Sequence, residues 1–305
     1  MLQKSKTKTV FKKIAKISLI TLLLLIISVY GISAVVIWNL SHPSRENVKF
    51  NIKNKFSDVE DIGFYSRKDS VFLKGWLIKA EGNKKTVIFG HGYGRNRLQT
   101  DVPLIEIVED LNKKGVNVVM FDMRNSGDSQ TALTTVGYNE AYDLLGAYDY
   151  VIGRSDISND VILEGFSMGA VATILAVEKE PAIKKAIADA PFADLRMYMS
   201  EKLTIWSKLP SFPFNYTCIQ LTPFISDINI SEVSPMNKVK NLKDTKILLI
   251  HGLNDNDIDV KNSHLIADNY NNAKIIEFPN ADHVKSFASN KELYLKTIEE
   301  FIFQE

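Results

Sequence analysis

The stretch Val161-Ile162-Leu163-Glu164-Gly165-Phe166-Ser167-Met168-Gly169-Ala170 decides the reading of this chain. A short apolar run, suited to a buried strand, leads into Gly165-Phe166-Ser167-Met168-Gly169, and a helical pattern follows from Ala170 to Glu178. Such a serine sits on a tight strand-to-helix turn, a nucleophile elbow, where flanking glycines leave room that Cβ atoms would fill.

Outward from this turn, the apolar runs Thr86 to Phe89, Val116 to Phe121, Ala186 to Ala188, Lys246 to Ile250 and Lys274 to Phe278 are short and β-rich, as expected of buried parallel strands. Helical periodicity covers Val102 to Lys114, Asn139 to Ile152 and Val260 to Tyr270. Ile62 to Tyr65 and Phe72 to Ala80 read as a preceding antiparallel hairpin. The alternation predicts an α/β fold, with a mostly parallel central sheet flanked by helices and ligand sites at the carboxyl ends of its strands. Pro191 to Pro235 breaks the rhythm with aromatics, Met and Pro, and is expected to form a helical cap over the site.

A serine hydroxyl is a weak nucleophile, so Ser167 needs an imidazole to take its proton and a carboxylate to orient that imidazole. Asp255 and His283 each fall just past the carboxyl end of an expected strand, giving the chain order Ser, Asp, His. Asp257 is the alternative acid. Of the other histidines, His42 adjoins the long apolar segment, His264 lies within an expected helix, and His91 and His251 occupy His-Gly turns suited to structural hydrogen bonding. The backbone amides of Tyr93, in Gly90-His91-Gly92-Tyr93-Gly94, and of Met168 are the expected oxyanion donors. No phosphate-loop spacing and no metal-ligand spacing is present, so neither a cofactor nor a metal is expected. Asp122 to Ser129 is a polar loop expected to be structural.

The 305 residues carry a formal charge of +1, with six lysines among the first sixteen positions, so the remainder is weakly acidic and does not suit nucleic acid. Cys218 is the single cysteine and forms no internal disulfide. Ile17 to Trp38 contains no charge and is long enough to cross a bilayer. The basic residues before it are expected to stay in the cytoplasm, placing the body on the far side of a membrane; secretion after cleavage near Gly31 to Ala34 is the alternative.

These motifs, His91-Gly92-Tyr93-Gly94, Asp122 to Ser129, Gly165 to Gly169, His251 to Asp255 and Ala281-Asp282-His283, resemble those of the α/β-hydrolase superfamily over roughly Asp61 to Glu305. Within it the chain is similar to membrane-anchored bacterial hydrolases of the Bem46-like and prolyl-oligopeptidase-like (S9) groups. It departs from the usual loop pattern by carrying Asn125 where glycine is common. The expected organisation is residues 1–16 as a basic cytoplasmic segment, 17–38 as an anchor, 39–58 as a linker and 59–305 as the hydrolase domain, with a cap insertion at about 191–235. The implied activity is a serine hydrolase of carboxylic esters, acting through an acyl-enzyme on a small ester. A peptidase or amidase acting on a short peptide, an acyltransferase or a thioesterase can use the same three side chains. A binding module keeping only the fold would be expected to lack one of them, and all three are present.

Overall fold

Each of these β-rich runs becomes a strand in the computed structural model, which describes residues 2–304; Met1 and Glu305, the ends of the expected basic segment and hydrolase domain, lie outside the described residues. The strands are β1 (Val59–Tyr65), β2 (Phe72–Ile78), β3 (Lys85–Gly90), β4 (Val116–Asp122), β5 (Val161–Phe166), β6 (Lys185–Asp189), β7 (Lys246–Gly252) and β8 (Ala273–Phe278). They form one sheet in the order β1-β2-β4-β3-β5-β6-β7-β8. The β1–β2 hairpin is antiparallel and joins β4 antiparallel, and every pairing from β3 to β8 is parallel.

The helices are α1 (Leu2–Ser41), α2 (Leu104–Lys113), α3 (Glu140–Ile152), α4 (Met168–Lys179), α5 (Leu195–Ser207), α6 (Ser211–Ile225), α7 (Pro235–Lys238), α8 (Lys261–Ala267), α9 (Ser286–Ser289) and α10 (Lys291–Phe303). Successive side chains of a strand point to opposite faces, so the apolar run of β4 feeds two cores at once. Val119 and Phe121 pack with α3 and α4, whereas Val118 and Met120 pack with α2 and α10. The helix α10 was not among the expected elements. Its buried Tyr294, Ile298, Phe301 and Ile302 recur at helical spacing and hold it on the sheet. The α8 helix is shorter than its expected span.

Between β6 and β7 lie α5, α6 and the short α7. Asp194 caps α5 by accepting from the Met197 N–H at 3.0 Å. The long α1 helix is apolar enough to cross a membrane over Val10–Ser41. Its exposed stretch, which includes Phe11, Leu19 and Leu22 to Ile27, stands clear of the domain, but its last three turns lie against α6, with Ser33, Ile37 and Ser41 buried. The chain then runs along the domain, where Arg45 donates to the carbonyls of Ser126 and Gly127, and Ile52 and Phe56 are buried.

Candidate active site

At the end of β5 the backbone turns sharply, and Ser167 takes φ 54° and ψ −116°, a left-handed conformation that a side-chain-bearing residue adopts only when its surroundings hold it. Its N–H donates to the Asp189 carbonyl at 2.8 Å, tying the turn to the end of β6. The two glycines are there for space. A Cβ on Gly165 would stand 2.2 Å from the Gly169 carbonyl oxygen, and one on Gly169 would stand 2.2 Å from that of Gly90. Met168 opens α4 directly, so its N–H has no acceptor within the helix.

The loops after β7 and β8 bring Asp255 and His283 to this serine. His283 Nε2 lies 2.9 Å from Ser167 Oγ, and His283 Nδ1 lies 2.7 Å from Asp255 Oδ2. The other Asp255 oxygen accepts from the N–H groups of Asp257 and Ile258 at 2.9 and 2.8 Å. Asp257, the alternative acid, thus meets Asp255 through its backbone, and among the described residues its carboxylate forms no hydrogen bond with His283. Burial alone would raise the Asp255 carboxyl pKa, but hydrogen bonds from His251 and His283 outweigh it and hold the group well below the usual carboxylate range. Burial likewise opposes protonation of His283. The hydrogen bond and charge of Asp255, with the charges of Asp257 and Asp189, overcome that opposition and raise its pKa above the ordinary histidine value.

The remaining histidines are engaged elsewhere. His91, buried, accepts the Met123 N–H at 3.0 Å; His264 pairs with Glu277 at 2.8 Å; His42 stacks on Trp38. His251 does more than brace its turn: Nδ1 meets Ser263 Oγ and Nε2 meets the Ile258 carbonyl, both at 2.7 Å, and Nε2 also stands 3.4 Å from Asp255 Oδ2. The polar loop after β4 is held by Asp122, which accepts from the N–H groups of Arg97 and Asp128, each at 2.7 Å. Asn125 there has φ 57°, a conformation asparagine tolerates better than most residues, which accounts for its standing in place of glycine.

Two buried carboxyls beneath the elbow were not anticipated. Glu164 on β5 and Asp189 at the end of β6 share the Tyr294 hydroxyl, at 3.4 and 3.2 Å, and one oxygen of each finds no protein partner among the described residues. Burial, reinforced by their mutual repulsion, pushes Glu164 up to about 8; burial pushes Asp189 up to about 7.

Ser167 opens into an apolar cavity of about 420 Å³, within the range of roughly 300–1,000 Å³ usual for small-molecule sites. Tyr93 and Met168 line it beside the serine. Phe192 and the α5 residues Tyr198, Met199 and Trp206 form another wall. Ile37, Leu40 and Ser41 of α1 also line it. No sequence expectation included that last wall, although Tyr30, Ser33, Ile37 and Ser41 recur at helical spacing and mark one face of α1.

Residues 106–305 match the prolyl oligopeptidase family. The chain belongs to that family. As a member, it is a serine hydrolase enzyme with the α/β-hydrolase fold. It is 26% identical to the Bacillus subtilis protein YqkD over 233 residues, 75% of each chain. It is 26% identical to the solved Pyrococcus furiosus esterase Pf2001, with a TM-score of 0.69, covering 86% of this chain and 97% of that one. The Pyrococcus horikoshii acylaminoacyl peptidase shares the fold, at 20% identity and a TM-score of 0.61, over 83% of this chain and 44% of that one.

Proposed function

We propose that this family member hydrolyses carboxylic esters with an apolar acyl group. Ser167 Oγ attacks the acyl carbonyl while His283 Nε2 takes its proton, and Asp255 holds the imidazole and balances the imidazolium that forms. The N–H groups of Tyr93 and Met168 receive the negative oxygen, Met168 with the added field of the α4 N-terminus. His283 returns the proton to the leaving alcohol. Water, deprotonated by the same imidazole, then attacks the acyl-Ser167 ester, releasing the acid and restoring the serine. The observation that carries this reading is the 2.9 Å contact between Ser167 Oγ and His283 Nε2 at the floor of an apolar cavity. Likeness to the esterase Pf2001 supports the ester over the amide.

Membership of a family named for peptidases favours a second reading, cleavage of a short peptide on the same residues. Transfer of the acyl group to an acceptor other than water, or hydrolysis of a thioester, follows the same first step. We further read residues 191–235 as the cap and α1 as an uncleaved single-pass anchor, with the N-terminus cytoplasmic and the catalytic domain outside. Burial of Ser33 and Ile37 against the cap supports retention, since Ser33 lies within, and Ile37 just past, the small residues Gly31 to Ala34 at the possible cleavage point.

The test uses the full chain in detergent, with fluorophosphonate labelling beside turnover of a p-nitrophenyl ester series and matched peptide anilides. Labelling should vanish in Ser167→Ala. Ester turnover should fall by about 10³-fold or more in His283→Ala, leaving the fold intact by thermal melting. Faster turnover of the peptide anilides would move the peptidase reading to the front. A folded wild-type chain that neither labels nor turns over any of these substrates would sink both.

A further inference from the structure

The α1 helix does not only tether the domain; it forms part of the cavity above Ser167. Ser33 Oγ meets Thr217 Oγ1 of α6 at 2.6 Å, and Ser41 Oγ meets Ser226 Oγ just past the end of α6. The two contacts are eight residues apart on α1 and nine apart on the α6 side, so the helices run side by side in the same direction. Tyr30 adds a hydrogen bond from its hydroxyl to Gln220 Oε1 at 2.9 Å. From this seam, Ile37 turns inward to line the cavity, followed by Leu40.

The depth of this seam follows from α1. With its charge-free run from Ile17 to Trp38 occupying the hydrocarbon, Ser33 and Ile37 fall in its outer part, and α6 must lie at that depth beside them. The α6 sequence suits such a place. From Leu209 to Ser226 it carries no charged residue. Its outward side presents Tyr216 and Phe224, the latter 85% exposed, and Phe212, 84% exposed, stands at the kink that precedes the regular helix. Phe212 precedes Thr217, and because the two helices run in parallel, it stands at the end of α6 nearer the membrane interior. Aromatic side chains near the membrane–water interface are a recurrent way for a domain to seat itself in a bilayer.

Resting on the esterase reading above, we propose that α1 and α6 together seat the mouth of the cavity in the outer leaflet, and that the substrate is a long-chain acyl ester of a membrane glycerolipid drawn directly from the bilayer. The acyl chain occupies the cavity walled by Ile37 and Leu40, with its ester carbonyl at Ser167. Ser167 acylation releases the lyso-lipid or glycerol alcohol, and water releases the fatty acid, as in the mechanism above.

The test places the full chain in phosphatidylcholine nanodiscs containing dioleoylglycerol and measures released oleate by mass spectrometry, beside p-nitrophenyl palmitate and p-nitrophenyl acetate. Ile37→Trp, which fills the cavity, should lower the palmitate-to-acetate ratio of kcat/KM by about tenfold or more, and Ile37→Ala should move it the other way. The ratio is read within each variant, so a loss of folded protein cannot imitate the result. Phe212→Asp with Phe224→Asp should lower oleate release from nanodiscs relative to turnover of palmitate in micelles. Oleate release with ratios that respond in these directions supports the proposal. Labelling and acetate turnover, with no oleate released or with a ratio indifferent to residue 37, would overturn it and leave the esterase reading standing. Absence of labelling and of all ester turnover would overturn both.

Discussion

His251 Nε2 stands 3.4 Å from Asp255 Oδ2, the oxygen that also accepts from His283. The acid is therefore shared between two imidazoles, one facing the serine and one buried behind it, and its second oxygen is held by two backbone N–H groups. This arrangement fixes the carboxylate without engaging the substrate. We expect His251→Ala to lower kcat about tenfold with little change in KM, because what is lost is the aim of Asp255 rather than a contact to the ester. His251→Gln, which keeps a donor at the same height, should recover part of the loss. A kcat within twofold of wild type in His251→Ala would show that the backbone N–H groups suffice.

On the proposed mechanism, the raised pKa of His283 sets the pH dependence. The base acts only when neutral, so kcat/KM should rise with pH and level off once His283 is deprotonated, with a midpoint above the ordinary histidine value of about 6.5. Asp255→Asn removes the charge that raises it. In that variant the midpoint should move down, and the plateau should fall by about 10³- to 10⁴-fold. A midpoint that stayed in place would mean that the acid limb reports another group.

Gly169→Ala tests the packing under the elbow. The added Cβ would stand 2.2 Å from the Gly90 carbonyl oxygen and 2.7 Å from that of His91, both backbone atoms at the end of β3. Relief requires α4 to part from β3, costing about 1–3 kcal/mol as overpacking usually does. The loop that carries Tyr93 begins at this point, so kcat should fall further than the loss of stability explains. Chemical denaturation read beside single-turnover acylation separates the two effects.

The elbow and the strand-end loops were legible because their causes are local. Glycines that must make room, and apolar runs that must be buried on both faces, show in a few consecutive residues. The catalytic candidates then followed from their places after β7 and β8. The wall supplied by α1 was not legible in the same way: a charge-free 22-residue run reads as lipid-facing on every side, and the partners of Ser33 and Ser41 lie some 185 residues along the chain. Polar residues at helical spacing in that run were the available sign. His251 looked like a turn-bracing histidine, and it is one; its second contact depends on how the following loop folds back. Glu164, one residue before Gly165, passed as part of a strand because nothing local shows that Asp189 and Tyr294 close over it.

That buried pair predicts how stability changes with pH. Unfolded, Glu164 titrates near its ordinary 4.5; folded, burial and the neighbouring Asp189 push it up to about 8, and Asp189 itself is pushed up to about 7. Between those values the folded protein holds protons that the unfolded chain has released. Their contribution is thus fully present below about pH 4 and is lost as the pH rises through about 7 to 8. Glu164→Gln keeps the shape of the protonated acid and cannot ionise. Its Tm should therefore exceed that of wild type by about 3 °C or more at pH 8, the effect of ~1 kcal/mol in a domain of this size, and the difference should shrink toward zero near pH 4. Calorimetric or fluorescence melts across this range check it. A gap that is constant with pH would mean that Glu164 keeps its proton in both states or in neither.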